Sequence, residues 1–404
     1  MAAGHGRHAV VVGAGLGGLT AAHELVGRDW EVTVLEARDR VGGRTWTRSL
    51  ENGVPIEMGA EFILPGNTEL VALAAELGIG TRSKGVKYGR REPRGGIGVD
   101  EPTLMAAVAA VRDALERVQD GPEPSAAELI ASLDIDEGAR EAILARAEIS
   151  SAADASLVPA GELGGLAAID DSPSPGLAGG NQSLSLALAE RLGDRVRLNE
   201  RVEFINWTET GMAVCTESGG IFEGERCVLA VPGTVMDRIL FAPALPEFKV
   251  EAFVGLRYGN AAKLFVPLAE APAGAEAVMD VPGRYWCWTQ TGPDGQVAPA
   301  VHCFAGSAAG LAGLEVETGP GRWLEALAEL RPELSLEPDG AVLSTWDDDP
   351  YVGAAYSIVP SPQLTVGLIE PVGPFRFVGE HTAGPFSALM EGAVRSGKRS
   401  DVWS

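Results

Sequence analysis

Ala9-Val10-Val11-Val12-Gly13-Ala14-Gly15-Leu16-Gly17-Gly18 stands near the start of the chain, followed by the Ala/Leu-rich run Leu19–Gly27, the apolar run Glu31–Leu35 and the acid Glu36. The order is that of a short apolar strand, a glycine turn, a helix, a second strand and a carboxylate, which is the dinucleotide-binding βαβ unit. Gly13 permits the tight turn, Gly15 lets the backbone approach a pyrophosphate, and Gly18 lets the helix lie close on the strand. With Ala14, Leu16 and Gly17 they form the turn that presents free N–H groups and the positive end of the helix dipole to phosphate. Glu36 is placed to accept hydrogen bonds from the hydroxyls of an adenosine ribose. A glycine turn that binds nothing would need neither the flanking strands nor the acid at this distance.

A second glycine cluster narrows the cofactor. Ala37-Arg38-Asp39-Arg40-Val41-Gly42-Gly43-Arg44 follows at once, and then Val54-Pro55-Ile56-Glu57-Met58-Gly59-Ala60-Glu61-Phe62. Additional backbone N–H groups and a guanidinium suit the far phosphate and flavin end of FAD. Later come Gly179-Gly180-Asn181-Gln182-Ser183-Leu184, Val228-Leu229-Ala230-Val231-Pro232, Gly379-Glu380-His381-Thr382 and Met390-Glu391-Gly392-Ala393-Val394-Arg395-Ser396-Gly397. In this order the motifs resemble the flavin-dependent amine oxidase family, bacterial flavin monoamine oxidases included, over nearly the whole chain. The resemblance implies FAD contacts from Gly13, Ala14, Gly15, Leu16, Gly17, Gly18, Glu36, Ala37, Arg38, Gly43, Arg44, Gly59, Ala60 and Glu61. It implies others from the Val202 backbone at the adenine, and from Trp346, Glu380, Glu391, Gly392 and Ala393.

Composition bounds the rest. At 404 residues with 46% hydrophobic content, the chain can bury a large core, in two or three domains or in one elaborated by insertions. No apolar run reaches the ~18–20 residues of a membrane span. Met1–His8 carries no long apolar stretch, and Asp401-Val402-Trp403-Ser404 forms no apolar tail. The expected location is therefore cytoplasmic. Cys215, Cys227, Cys287 and Cys303 lie far apart without a CxxC pair, so the expectation is buried thiols and no metal. A formal net charge of −24 argues against nucleic acid or an anionic membrane as partner. The expected partners are a small-molecule amine and oxygen, with a homodimer as the candidate assembly.

The expected fold class is α/β. A discontinuous Rossmann-like FAD-binding domain (1–66, 178–240 and 366–404) joins a substrate domain (67–177 and 241–365) of mixed β-sheet with a helical insert. Leu104, Val108, Val111, Leu115 and Val118 recur at helical spacing, and 67–78, 125–132 and 137–148 also read as helices, with no strand pattern between them. The Pro/Gly-rich stretch Asp170–Gly180 reads as a hinge or linker. Ala262–Val266, Arg284–Gln290, Ala300–Ala305 and Ala341–Trp346 read as the strands of the substrate sheet, and Ala388–Lys398 as a last helix aimed at the cofactor.

Lys263 sits in the apolar strand Ala261-Ala262-Lys263-Leu264-Phe265-Val266, where burial is costly without a partner. A lysine snorkelling from a strand edge is the plain alternative. The resemblance implies instead that Lys263 holds a water near the flavin and aids reaction with oxygen. It also assigns Trp346 to flavin packing and Tyr356 to one wall of a substrate cage. Ala355 precedes that tyrosine where mammalian monoamine oxidases have a flavin-bonded cysteine, so FAD should be held non-covalently. Leu389 stands where many members carry the second cage aromatic, with Phe386 the nearest ring that would restore it. L-amino-acid oxidases have a carboxylate-gripping arginine after the Met-Gly-Ala turn; here that position is Phe62. The implied activity is oxidation of a fairly apolar primary or secondary amine to an imine, which hydrolyses to a carbonyl compound, with oxygen giving hydrogen peroxide. An L-amino-acid oxidase, an FAD-dependent desaturase and a non-catalytic flavoprotein are the alternatives.

Overall fold

His8–Val12 lies at the centre of a five-stranded sheet, parallel to Glu31–Leu35 on one side and Arg226–Leu229 on the other. Phe375–Phe377 and Val196–Arg197 form its edges. The strand is central because it is apolar on both faces: Ala9, Val10, Val11 and Val12 are all buried. Gly13, at φ +102°, turns the chain out of the sheet while its N–H bonds Leu35 O at 2.8 Å. Helix Leu16–Val26 then packs back through Leu19, Ala21, Ala22 and Leu25. A Cβ on Gly18 would stand 2.0 Å from Gly13 O, so only glycine allows this approach. The structure is a computed structural model that describes residues 7–117, 123–166, 169–358 and 361–403; Met1–Gly6, Val118 and Ser404, read above from sequence, lie outside them.

A four-stranded sheet (Ile221–Gly224, Gly211–Thr216, Val202–Thr208, Leu240–Ala242) covers one face of this layer. Ile205, Trp207 and Val214 pack there on Val10, Val12, Phe375 and Phe377. A second region is built on a six-stranded sheet in the order Val342–Thr345, Ala261–Pro267, Val297–Gly306, Tyr285–Thr291, Ala277–Asp280, Glu92–Arg94. Helices Glu101–Leu115, Ala126–Ala131 and Glu137–Ser151 cluster with Trp286 and Trp288 on one face. Helix Gly321–Leu330 lays Trp323 and Leu327 on the other.

Two expectations need correction. The helical insert is not free of strands: Glu92–Arg94 pairs parallel with Ala277–Asp280. Pro93 hid it, being tolerable only because this strand is the sheet edge. Nor is Asp170–Gly180 a hinge. Its Gly176–Leu177 pairs with Thr81–Arg82, and Ser174 Oγ accepts the Tyr88 N–H at 3.0 Å. Among the described residues, no helix is long and apolar enough to cross a membrane, and no group of three or more His, Cys, Asp or Glu could hold a metal.

Candidate active site

A cavity of about 650 Å³ runs between the two regions. Its nucleotide part is lined by Gly13, Gly15, Leu16, Gly17, Glu36, Ala37, Arg38, Gly43 and Val202. Gly15 caps helix Leu16–Val26 with no side chain on the free N–H groups, and no acid occupies the first turn. A Cβ on Gly15 would meet nothing within 4 Å, so the residue leaves open space before the helix terminus. That is the cradle a dinucleotide pyrophosphate requires. Glu36 is buried, and its two oxygens accept the Ala14 N–H at 2.8 Å and the Arg38 N–H at 3.0 Å. Burial raises its carboxyl pKa against those two bonds, while lone pairs remain for ribose hydroxyls.

Arg44 reaches across the cavity wall to Ala355 O and Glu380 Oε1, each at 2.9 Å. Glu380 is buried, which alone would raise its carboxyl, but Arg44 beside it carries it below the usual range. Its other bonds, from the Ser357 N–H and hydroxyl and the Ala388 N–H, fasten the loop of Tyr356 to the segment of Leu389. Arg38 pairs with Asp349 and lies over the Tyr351 ring. Trp346 donates its indole N–H to Met58 O at 3.1 Å, which fixes the ring against the turn holding Gly59, Ala60 and Glu61.

Lys263 does not snorkel. Its strand is paired on both sides, opposite Phe304 and Ser344, and the side chain is 5% exposed. The ammonium donates to Glu57 O at 2.6 Å, to Gly59 O at 3.1 Å and to the Glu61 carboxylate. Glu61 is held from the other side by Lys84, itself buried. Burial would raise the Glu61 carboxyl; the two ammoniums hold it at about 2. Burial pulls Lys263 below its ordinary value, with Glu61 opposing. His302 packs nearby, stacked on Trp288, and burial depresses its pKa to about 3, leaving a neutral ring.

The chamber beside this cluster is lined by Phe62, Tyr88, Trp286, Trp288, Phe304 and Tyr356, with Leu389 among them. Tyr356 donates its hydroxyl to Ser150 O at 2.9 Å. Leu389 does line the cavity, but Phe386 does not; its ring instead carries the Arg395 guanidinium at 4.0 Å. Trp286 and Trp288 also line the cavity, their rings stacked with centroids 4.3 Å apart. Sequence reasoning missed both, and Lys84, Tyr88 and Arg91 with them. One signal was present: aromatics at positions 286 and 288 of a strand share a face.

Four expected cofactor residues lie off the cavity wall. Glu391 is fully buried and caps helix Thr68–Glu76 instead, accepting the N–H groups of Glu69 at 3.1 Å and Leu70 at 2.8 Å. A Cβ on Gly392 would stand 2.0 Å from Phe386 O, so that glycine serves packing. Ala14 contributes its N–H to Glu36, and Gly18 its closeness to the strand. The remaining expected residues, Ala393 included, line the cavity, and no cysteine is among the lining residues described.

The chain matches the profile of a family described as flavin containing amine oxidoreductase over residues 16–400. It is 27% identical to the flavin-containing amine oxidase A of Canis lupus familiaris over 446 aligned positions, covering 98% of this chain and 84% of that protein. Identity to the flavin-containing amine oxidase B of Homo sapiens is 26%, covering 97% and 84%. A putrescine oxidase structure with putrescine bound is 25% identical with a TM-score of 0.83, covering 98% of both chains. Cyclohexylamine oxidase from Brevibacterium oxydans shares the fold, with a TM-score of 0.81 at 21% identity and 97% coverage of each chain.

Proposed function

Because the chain belongs to the flavin-containing amine oxidoreductases, and is an FAD-dependent oxidoreductase acting on amines, we propose how its own residues divide that work. When bound, FAD would supply the redox chemistry, accepting the two electrons of the amine's α C–H bond as hydride while the nitrogen gives up a proton, so that C–N becomes C=N. Glu36 holds the ribose, and the Gly15 turn with the terminus of helix Leu16–Val26 holds the pyrophosphate. Arg38, Gly43 and Arg44 line the path towards the Gly59–Glu61 turn. Attachment is non-covalent, in keeping with Ala355 and the lack of a lining cysteine among the described residues. The segments 1–66, 178–240 and 366–404 form the FAD-binding domain, and 67–177 and 241–365 the substrate domain.

The aromatic walls exclude water and orient a primary or secondary amine, with Tyr356 fixed by its bond to Ser150 O. Lys263 at the cavity wall, with Lys84 on the same Glu61 carboxylate, supplies positive charge that favours electron transfer to oxygen, giving hydrogen peroxide. The ammonium of Lys263 already donates three hydrogen bonds to protein acceptors. A water held there must therefore share a donor, which favours a role through charge. The setting proposed is cytoplasmic, in keeping with four free thiols. A homodimer is proposed on the exposed apolar residues Phe248, Val250, Val254 and Val366.

One observation carries this reading: the glycine turn with Glu36 and the chamber of Lys263, Trp346 and Tyr356 line a single cavity. The test is anaerobic. Mixing the yellow holoprotein with amines should bleach its ~450 nm band and release one carbonyl equivalent per flavin. A holoprotein that no amine bleaches would overturn the reading.

A further inference from the structure

We propose that Arg91 is the anion-binding residue of the substrate chamber, and that the amine this chamber takes also carries a carboxylate. The inference rests on the amine-oxidising reading above and names its substrate class. Arg91 lines the cavity and is 6% exposed. Its Nε donates to Tyr88 O at 3.2 Å and its Nη1 to Ser150 Oγ at 3.3 Å, whereas Nη2 has no partner. Its guanidinium carbon lies 4.1 Å from the centroid of Tyr88 and 4.0 Å from that of Trp286. Two π-faces favour a cation but carry no countercharge.

A buried charge without a countercharge is costly. Arg44 has one in Glu380, Arg38 in Asp349 and Arg331 in Glu333, while the buried Lys249 is met by three backbone carbonyls, more than Arg91 has. Arg91 forms no ion pair among the described residues. Glu61, a carboxylate on the same cavity, is held by Lys84 and Lys263. Arg146, which donates to Tyr88 O at 3.3 Å, adds a second cation behind the first. The location fits substrate recognition: Tyr356 bonds the carbonyl and Arg91 the hydroxyl of the same Ser150. Phe62 lies 5.9 Å from Tyr88 and 5.8 Å from Trp286, the two rings that hold the guanidinium. A cation thus reaches the neighbourhood of position 62 from another segment of the chain. A planar carboxylate matches the guanidinium fork, whereas a phosphate dianion would require more donors than this aromatic wall offers.

The test uses holoenzyme and a non-oxidisable pair of equal skeleton, 3-phenylpropanoate and 3-phenylpropanol, titrated against the visible flavin spectrum. The acid should bind at least about tenfold more tightly than the alcohol. Arg91→Met should abolish that preference, weakening the acid far more than the alcohol, and Arg91→Lys should keep part of it. Retained FAD stoichiometry in each variant reports an intact fold; if Arg91→Met loses FAD, the wild-type preference and Arg91→Lys decide. Equal binding of acid and alcohol by the wild type, or an equal loss of both in the variants, overturns the proposal. In peroxide-coupled turnover, phenylalanine should exceed phenylethylamine in kcat/KM, and Arg91→Met should reverse the order chiefly through KM. Turnover of phenylethylamine with no preference for the acid would sink the Arg91 assignment alone. Absence of bleaching by every amine would sink the oxidase reading, while the ligand titration would still report on Arg91.

Discussion

Replacing Lys263 by methionine separates a structural lysine from a functional one. The substitution keeps the length of the apolar stem in a strand paired on both sides but removes three hydrogen bonds, to Glu57 O, Gly59 O and the Glu61 carboxylate. Two buried carbonyls lose donors, while Glu61 retains Lys84. Breaking a buried pair of this kind costs about 3–5 kcal/mol. Unfolding entropy near the midpoint is about 0.85 kcal/mol per kelvin for 404 residues. The expected fall in Tm is therefore about 4–6 °C, and the variant should still fold and bind FAD. Stopped-flow traces of the two half-reactions then divide the roles. Return of the yellow colour on mixing reduced enzyme with oxygen should slow by an order of magnitude or more, as for loss of a preorganised charge. Anaerobic bleaching by amine should slow less, because a neutral amine needs no base. Lys84→Met should slow the oxygen step too, since both ammoniums act on the same carboxylate. Unchanged reoxidation in Lys263→Met, with the expected loss of Tm, would make the cluster purely structural and refute the charge argument.

Other outcomes follow from the same geometry. Glu36→Ala should weaken FAD binding by about 1.5–3 kcal/mol, a charged hydrogen bond's worth, measured by apoprotein titration; wild-type affinity would remove Glu36 from the ribose site. Heat or acid precipitation should leave FAD in the supernatant, and colour retained by the pellet would contradict non-covalent attachment. His302 and His381, depressed by burial to about 3 and about 4, stay neutral in the folded protein. The unfolded chain takes up their protons below about pH 6.5, so their contribution is fully present above that pH and is lost as pH falls towards 4. Together they lower stability by about 2.7 kcal/mol per pH unit between roughly pH 6 and 4. Urea midpoints at pH 7, 6 and 5 should fall accordingly, with His302→Gln halving the slope; flat midpoints would show that neither ring is held neutral.

The nucleotide half was legible because its determinants are local. Gly13, Gly15, Gly18 and Glu36 lie within one βαβ unit, where spacing along the chain is spacing in space. The chamber was not. Arg91 stands just before Glu92–Arg94, a short edge strand that lines up only through parallel pairing with Ala277–Asp280. Trp286 and Trp288 come from the neighbouring strand, and Lys84 meets Lys263 only because both bind Glu61. Lys263 could be singled out, since a lysine amid apolar strand residues needs a reason, but its partners could not. Glu391 illustrates the converse: a motif singles out an acid without saying which way it faces, and here it caps a helix. Lys249, equally buried, likewise serves structure, donating to Gly367 O, Leu368 O and Glu370 O at the end of helix Pro362–Ile369.

The claim that the dinucleotide cradle and the aromatic chamber work as one active site is tested most directly by a peroxide-coupled screen of purified holoprotein. The panel should span monoamines, cyclic amines, polyamines and amino acids, with the carbonyl product quantified in parallel. The account predicts amine-dependent peroxide, equimolar with the carbonyl compound, that disappears when FAD is stripped and returns when it is added back. A fully flavinated protein that yields no peroxide and no carbonyl product from any of these amines would contradict it.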